Sequence, residues 1–279
     1  MTSQDGLSMG PALLFCPADR PERFAKAAER ADAVILDLED AVAPGDKPAA
    51  REALIASGLD PDRTIVRLNA ASTHDFTFDV EALRDTQYRT VMLAKAEGAA
   101  DLWSLNRFRV IALCETALGV LNASAMAAEP NVVALMWGAE DLVASLGGLS
   151  SRNDDGGYRH VALHARSQVL LAAGAAGKQS IDSVYVDISD LDGLAEESRD
   201  AVASGFGAKA CIHPSQVAVI REAYLPSAGD IAQARELLEE ASHQGGVFQF
   251  RGRMVDGPIL RHAEQVLARA ERYRAGSES

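Results

Sequence analysis

Eight short apolar segments recur along the chain with helix-like stretches between them, and this alternation limits the possible folds more than any other feature of the sequence. The segments are ALLFCPA (12–18), AVILDLE (33–39), TIVRLN (64–69), TVMLAK (90–95), VIALCE (110–115), VVALMWG (132–138), SVYVDI (183–188) and AKACIHP (208–214). Stretches such as PERFAKAAER and RHVALHARSQVLLAAGAAG separate them and read as helices. Near-continuous apolar strands joined by helical crossovers are typical of a parallel sheet that is buried on both faces.

Eight repeats of strand and helix between Ala12 and Pro214 favour a closed (β/α)₈ barrel, the TIM barrel. An open doubly wound sheet is the less favoured alternative, since it usually has about five or six strands. No G-x-G-x-x-G motif follows the first segment, which further disfavours a dinucleotide-binding fold. We therefore predict an α/β barrel as the catalytic domain over residues 1–224.

The pattern changes after the eighth segment, and residues 225–279 are predicted to form a C-terminal region of helices and an extended arm. Helices are expected over SQVAVIREAYL (215–225) and DIAQARELLEEASH (230–243), followed by a hairpin or arm in HQGGVFQFRGRMVDGPIL (243–260) and a last helix from Pro258. That last helix has apolar residues on one face at helical spacing. Because a closed barrel does not need this face, we expect it to contact a neighbouring subunit.

Polar side chains stand at the carboxyl end of nearly every predicted strand, the rim from which barrel enzymes assemble their active sites. They are Asp19, Arg20, Glu39, Asp40, Arg67, Asn69, Lys95, Glu115, Glu140, Asp141, Asp187 and His213. Glu115 and Asp141 follow neighbouring strands, and two hard oxygen ligands, with water and substrate completing the shell, are how proteins usually hold Mg²⁺. Helix capping or pairing with rim arginines is an equally open interpretation of these carboxylates.

Charge and cysteine content narrow the function classes. The formal net charge of -13 at pH 7 argues against nucleic acid or an anionic membrane surface as partner. Three cysteines, Cys16, Cys114 and Cys211, lie far apart, so we expect small core residues rather than a disulfide framework or a zinc site. The sequence has neither a signal-like start nor a membrane-spanning stretch, and a cytoplasmic location is predicted.

Several motifs, taken together and in order, resemble a known family. LLFCPADRPERFAKA, ADAVILDLEDAVAPGDKPAAR, VRLN, VMLAKAE, ALCET, MWGAEDL and CIHPSQ are similar to the CitE-like proteins, stand-alone relatives of the citrate lyase β subunit in the wider HpcH/HpaI aldolase family. The match runs from about Leu13 to the C-terminal MVDGP. Two departures lie beside the expected site: Ala18 stands where the family often has Gly, and Ala94 where it often has Pro.

The resemblance implies a role for each matching residue. It implies that Glu115 and Asp141 are the Mg²⁺ ligands. Arg67 would bind the carboxylate of a 2-oxo acid through two parallel hydrogen bonds, which a lysine does not reproduce. Glu39 and Asp40 match an acidic pair that accepts hydrogen bonds from metal-bound waters.

Four more residues complete the expected site. Gly138 and Ala139, which belong to the same WGAED motif as Asp141, are substrate-binding candidates together with Glu115 and Arg67. Arg20 is a candidate contact for coenzyme A, although a solvated helix face explains it equally well. Asp256, in the C-terminal arm, matches an aspartate that reaches the site of a neighbouring subunit and is the candidate general acid. Family members are commonly trimers, and a homotrimer is expected.

The implied activity is Mg²⁺-dependent cleavage, or formation, of a carbon-carbon bond in a 3-hydroxyacyl-CoA thioester. Malyl-, citramalyl- and 3-hydroxy-3-methylglutaryl-CoA are examples, and the products are acetyl-CoA and an oxo acid. A citrate lyase β subunit works with acyl-carrier and transferase subunits, and this chain supplies neither activity, so free coenzyme A thioesters are the expected substrates. The alternatives are an aldolase that acts on free 2-oxo acids without coenzyme A and a non-catalytic subunit of a larger lyase complex. The intact set of Glu115, Asp141 and Arg67 disfavours the second alternative.

Overall fold

A computed structural model describes residues 9–244 and 246–277, which form two compact units divided between Ile220 and Arg221. In the first unit eight parallel strands close into a barrel in chain order, with β8 hydrogen-bonded to β1. The strands are β1 Ala12–Pro17, β2 Ala33–Asp37, β3 Thr64–Leu68, β4 Thr90–Leu93, β5 Arg109–Cys114, β6 Val132–Trp137, β7 Gln179–Asp182 and β8 Ala208–Cys211. The predicted (β/α)₈ fold is confirmed, and its carboxyl-terminal rim carries the candidate site.

Helices connect the strands, as the alternation predicted. They are α1 Phe24–Arg30, α2 Lys47–Ile55, α3 His74–Leu83, α4 Ala99–Leu102, α5 Ala117–Leu121, α6 Ala123–Ala127, α7 Ala139–Ser145, α8 His160–Ala175, α9 Leu191–Ser204 and α10 Pro214–Tyr224. Short 3-10 turns cover Pro21–Arg23, Pro44–Asp46, Pro61–Arg63 and Trp103–Leu105. Within the described residues, no helix has both the length and the apolar character needed to cross a membrane.

Apolar strand residues fill the inside of the barrel. Leu13, Ile35, Ile65 and Ile111 are completely or almost completely shielded from solvent and belong to one apolar cluster. Burying each such side chain stabilises the fold by roughly 1.5–3 kcal/mol before cavity and strain effects. The three cysteines are buried and unbonded to each other, as expected of core residues. Burial raises the pKa of the Cys16 thiol to about 11, so this thiol is protonated at neutral pH.

The predicted seventh strand is wrong in position. The structure places β7 at Gln179–Asp182, while residues 183–188 are irregular and Asp187 is an exposed loop residue rather than a rim residue. The apolar alternation of SVYVDI is the more strand-like pattern, but QSID is the segment that hydrogen-bonds to β6 and β8. A strand with so few apolar residues is possible here because the charge of Asp182 is compensated inside the protein.

Asp182 is fully buried within a network of donors on the outer side of the barrel wall. Its carboxylate accepts hydrogen bonds from Lys209 Nζ at 2.9 Å, Arg166 Nε at 3.0 Å and Trp137 Nε1 at 2.7 Å. Burial opposes ionisation of this group, but Lys209 and Arg166 outweigh it and lower the pKa of Asp182. The network therefore fixes β7 through ion pairs, where the other strands rely mainly on apolar contacts.

The second unit contains a helix pair and a hairpin. Helix α11 spans Ala228–His243, strands β9 Phe248–Phe250 and β10 Arg253–Val255 pair antiparallel, and α12 spans Gly257–Ser277. Arg251 (φ 47°) and Gly252 (φ 80°) form the hairpin loop, and two positive φ angles are typical of the type I′ turns that suit the twist of a hairpin. The expected boundary after Tyr224 and the observed division both fall in or at the end of α10.

The apolar face of α12, where a subunit contact was expected, packs within its own unit. Leu260, Ala263, Val266 and Leu267 pack with residues of α11 and of the hairpin in a single apolar cluster. The sequence pattern was read correctly as an amphipathic helix. The neighbouring α11 and the hairpin bury that face, so it no longer indicates a second chain.

Candidate metal centre and active site

Asp37, the last residue of β2, positions Arg67 on the adjacent strand. The two residues are in register, and the Asp37 carboxylate accepts from Arg67 Nε at 2.7 Å and Nη2 at 2.6 Å. It also accepts from the backbone N–H of Glu39 at 2.9 Å and of Ala41 at 3.2 Å. The first carboxylate of the DLED sequence is therefore a structural anchor for Arg67 and for the loop that follows β2. Asp37 was not predicted to have a role, because the register between strands is not visible in the sequence of one chain.

Arg67 is almost fully buried and surrounded by partners that fix its orientation. Nη1 lies 3.2 Å from Glu39 Oε2, and the guanidinium carbon lies 4.9 Å from the centre of the Phe15 ring. Burial opposes the charged form, but the adjacent Asp37 and Glu39 carboxylates raise the pKa of Arg67. Asp37 takes the Nε and Nη2 edge, so a substrate carboxylate bound by two parallel hydrogen bonds, as predicted, would use the Nη1 and Nη2 edge. Nη1 is the part of Arg67 oriented toward the Glu39 side of the rim.

Lys95 joins the carboxylates of the rim and was noted in the sequence only as a polar residue after the fourth strand. Its Nζ donates to Glu39 Oε1 and to Asp40 Oδ2, the latter at 3.0 Å, and lies 3.4 Å from Asp141 Oδ1. Burial raises the pKa of Glu39 despite Arg67 and Lys95. At Asp40 burial acts in the same direction, but the hydrogen bond from Lys95 prevails and lowers its pKa. The two acidic residues therefore have different proton affinities although they are adjacent in sequence.

A buried lysine and an asparagine hold the loop that carries Glu39. Lys47 Nζ donates to the carbonyl oxygens of Leu38 at 3.0 Å and Glu39 at 3.2 Å, and also to Asn69 Oδ1. Asn69 Nδ2 donates to the Leu38 carbonyl at 3.0 Å and to Asp79 at 2.7 Å. These bonds give the Leu38 carbonyl two side-chain donors and add one to the Glu39 carbonyl, which also accepts from the backbone N–H of Val42 at 3.2 Å. Asn69 was predicted at the rim, whereas Lys47, which lies on α2, was not.

Glu115, directly after β5, is the most buried carboxylate of the candidate metal pair. Only 3% of it is exposed, and its Oε1 accepts from the backbone N–H of Lys95 at 3.0 Å. Burial, followed by repulsion from Asp141, raises the pKa of Glu115 to about 8. Gly138 leaves room for this side chain, since a Cβ at that position would lie 2.8 Å from both the Cβ and the Oε2 of Glu115. The glycine of the WGAED motif is therefore required by packing against Glu115.

Asp141 lies in the first turn of α7, just after β6, and faces the rim. Its side chain is 36% exposed, and its nearest cation is the Lys95 ammonium. The preceding Ala139 is buried, and its N–H is 3.4 Å from Ser183 Oγ, so Ala139 contributes to the turn that carries Asp141. The structure thus brings together Arg67, Glu39, Asp40, Glu115 and Asp141 as the sequence predicted, and adds Lys95 and Asp37.

Two other predicted residues lie outside this cluster of contacts. Arg20 is 55% exposed in its side chain, and its Nε lies 3.6 Å from Asp19 Oδ2. Asp256 belongs to the second unit, between β10 and α12, where its Oδ1 lies 3.5 Å from the backbone N–H of Ile259. These contacts are those of a solvated arginine and of a residue at a helix start, and the proposed roles of both residues remain predictions.

The side chains of this site suit Mg²⁺ better than a metal ion whose ligands must all come from the protein. Among residues 9–244 and 246–277 no group of three or more His, Cys, Asp or Glu side chains could enclose a metal ion. Mg²⁺ typically keeps several waters and is bound through one or two carboxylates plus substrate oxygens. Burial and, after it, repulsion from Asp141 raise the pKa of Glu115, and a divalent cation between the two carboxylates would relieve that repulsion. Helix capping does not explain Glu115, because the N–H that its carboxylate accepts from is that of Lys95, in the loop after β4.

Known proteins match most of this chain. The model of the HpcH/HpaI aldolase/citrate lyase family matches residues 12–214. The citrate lyase subunit beta-like protein of Mycobacterium tuberculosis is 57% identical over 261 residues, which cover 94% of this chain and 96% of that protein. The mitochondrial citramalyl-CoA lyase of Mus musculus is 33% identical over 293 residues, covering 93% of this chain and 85% of that protein.

A solved structure that contains bound molecules is also similar to this chain. It is that of CitE from Mycobacterium tuberculosis in complex with magnesium, acetoacetate and coenzyme A, with a TM-score of 0.91 and 56% sequence identity. The match covers 95% of this chain and 99% of that chain. Family model, relatives and solved structure all cover the barrel and its rim. This chain belongs to the HpcH/HpaI aldolase/citrate lyase family.

Proposed function

We propose that this protein is a Mg²⁺-dependent carbon-carbon lyase that cleaves a 3-hydroxyacyl-CoA thioester into acetyl-CoA and an oxo acid, or joins these two products. The observation that carries the proposal is that Glu115 and Asp141 both contact Lys95, one through its backbone N–H and the other through its ammonium, at the rim that also carries the buried Arg67. A carboxylate pair supplies metal ligands, and a buried arginine supplies a fixed site for an anionic substrate group. The relatives named above act on, or bind, coenzyme A thioesters or coenzyme A, which supports this substrate class.

Each side chain of the rim has a definable task in such a reaction. Cleavage breaks the bond between the hydroxyl-bearing carbon and the thioester α carbon, and the bond electrons pass to the thioester as an enolate. Bound by Glu115 and Asp141, Mg²⁺ supplies a Lewis acid that lowers the pKa of the substrate hydroxyl and stabilises charge on oxygen. Arg67 binds the substrate carboxylate through Nη1, while Asp37 prevents the guanidinium from turning away. Glu39, whose pKa burial raises, is our candidate for accepting the hydroxyl proton.

We expect Arg67→Lys to lower kcat/KM by about a hundredfold, because a single ammonium cannot hold Asp37 with two parallel bonds and also reach substrate. Steady-state kinetics with a malyl or citramalyl thioester measure the effect. Arg63→Lys is the matched control, since Arg63 lies just before β3, at the opposite end of the same strand, and donates to backbone carbonyls. A folded Arg67→Lys protein with unchanged kcat/KM would show that Arg67 does not bind substrate.

The decisive experiment is a cleavage screen of the purified protein with and without Mg²⁺. Malyl-, citramalyl-, 3-hydroxy-3-methylglutaryl- and citryl-CoA are each compared with the corresponding free acid, and acetyl-CoA and oxo acid are measured as products. We expect Mg²⁺-dependent cleavage of at least one thioester and none of the free acids. Cleavage of free acids alone would assign the protein to aldolases that do not use coenzyme A. Failure with every substrate at saturating Mg²⁺ would instead indicate a non-catalytic subunit.

We further propose that the protein is a cytoplasmic homotrimer in which Asp256 protonates the enolate carbon. Three buried cysteines that form no disulfide with one another are in keeping with a reducing compartment. Large exposed apolar side chains on the barrel helices, such as Leu121 (68% exposed) and Leu171 (71% exposed), support contact between subunits. Sedimentation equilibrium tests the trimer.

The Asp256→Asn variant tests the role of Asp256 as general acid, and a cleavage rate equal to that of the unmodified protein would exclude this role.

A further inference from the structure

Lys95 has an unusual backbone conformation at the centre of the rim. It follows β4 with a φ of 49°, in the left-handed region that residues other than glycine rarely adopt. Its N–H donates to Glu115 Oε1 at 3.0 Å, while its ammonium contacts Glu39, Asp40 and Asp141. Backbone and side chain of one residue therefore contact different carboxylates, and the effects of the two can be separated by mutation.

The Lys95 ammonium contacts carboxylates that come from two different loops. Glu39 and Asp40 belong to the loop after β2, and Asp141 to the first turn of α7 after β6. The contact with Asp141 is the longest of the three, at 3.4 Å, and Lys95 keeps 30% of its side chain exposed. The ammonium therefore has room to leave Asp141 without losing its contacts to the β2 loop.

Arg67, a second cation at the rim, is held by other carboxylates. Both Nε and Nη2 of Arg67 are bonded to Asp37, and Nη1 faces Glu39. Among the ion pairs of the described residues, Asp141 is paired with Lys95 alone. The positive charge next to the exposed member of the proposed metal pair is thus an ammonium on a flexible stem.

We propose that Lys95 is an internal counter-cation that competes with Mg²⁺ for the carboxylates of the rim. Its ammonium neutralises Asp141 before the metal arrives and withdraws toward Glu39 and Asp40 when Mg²⁺ binds, while its backbone N–H keeps Glu115 in place throughout. Lys95 therefore sets the Mg²⁺ affinity at a lower value than the two ligands alone would give. The inference rests on the proposed function, because it takes Glu115 and Asp141 as the metal ligands.

The test is isothermal titration calorimetry of metal-free protein with MgCl₂, without substrate. Lys95→Met keeps the length of the side chain and the backbone N–H but removes the charge, and we expect it to bind Mg²⁺ about three to ten times more tightly. Lys95→Arg keeps the charge and should not gain affinity. Lys178→Met removes the same charge before β7, at the opposite end of the barrel, and should bind Mg²⁺ as the unmodified protein does.

A second measurement, thermal unfolding, reports the same difference in affinity by an independent route, while the Lys178→Met variant accounts for the change in net charge. In thermal unfolding, the rise in Tm that saturating Mg²⁺ produces should be larger for Lys95→Met than for the unmodified protein, since its metal-free rim lacks a counter-charge. Lys95→Gln, which keeps a hydrogen-bond donor, replaces the methionine variant if that variant does not fold. Unchanged or weaker Mg²⁺ affinity in the folded uncharged variant overturns the inference while leaving the metal site intact. Absence of any Mg²⁺ binding by the unmodified protein overturns the metal site, and the role of Lys95 with it.

Discussion

Replacing Glu115 with glutamine, or Asp141 with asparagine, is expected to lower Mg²⁺-dependent cleavage at least about a thousandfold, because each change removes one of only two protein ligands. Both substitutions keep the size of the side chain. In the Glu115→Gln protein the new amide oxygen can still accept from the backbone N–H of Lys95, so the loop after β4 keeps its contact. Initial rates over a range of MgCl₂ concentrations measure the loss, and excess Mg²⁺ should restore little of it.

Stability distinguishes this loss from unfolding. Glu115 is a buried carboxylate whose charge is opposed by burial and by Asp141, so its neutral replacement should leave the metal-free protein at least as stable as before. Glu140→Gln is the matched control: Glu140 precedes Asp141 in the same helical turn, is exposed, and accepts from Ser151 Oγ at 2.6 Å. We expect this control to keep its activity. Retained Mg²⁺-dependent cleavage in both Glu115→Gln and Asp141→Asn would exclude the proposed metal centre.

The barrel was predictable from the sequence because strand and helix periodicity is a local property of the chain. Seven of the eight apolar segments coincide with observed strands, and the exception has a physical explanation. The segment QSID is stabilised as β7 by Lys209 and Arg166, which are distant in sequence, so no local pattern marks it as a strand. The amphipathic pattern of α12 was equally clear, but sequence could not show that α11 and the hairpin cover its apolar face.

The composition of the rim was predictable, but the pairing of its side chains was not. Residues at strand ends meet at the mouth of any barrel, which is why Arg67, Glu115 and Asp141 could be selected. Which carboxylate an arginine binds depends on strand register, and Asp37 rather than a substrate takes the Nε and Nη2 edge of Arg67. The left-handed conformation of Lys95 is likewise a tertiary feature, since no glycine or asparagine marks it in the sequence.

The stability of the metal-free protein is expected to fall as pH rises from about 5 to 8, and Glu115 is the reason. In the folded protein Glu115 keeps its proton up to about pH 8, because its pKa is raised there from an ordinary value of 4.5. Between these two pH values the folded state binds more protons than the unfolded state, so raising the pH favours unfolding. The loss amounts to on the order of 5 kcal/mol once the pH exceeds 8, and little further change from this group follows.

Chemical denaturation in EDTA at several pH values measures this dependence, and the Glu115→Gln protein isolates the part that belongs to Glu115. Subtraction is needed because the raised pKa of Glu39 acts in the same direction, while the lowered pKa values of Asp40 and Asp182 act in the opposite one. Saturating Mg²⁺ should weaken the part of the pH dependence of stability that comes from Glu115, because a cation beside the carboxylate stabilises its ionised form in the folded state. An identical pH dependence in the unmodified and Glu115→Gln proteins would mean that Glu115 is already ionised at neutral pH without metal. Lys95 and Arg67 would then compensate the charge of the rim by themselves, and Mg²⁺ binding would gain nothing from relieving the repulsion between Glu115 and Asp141.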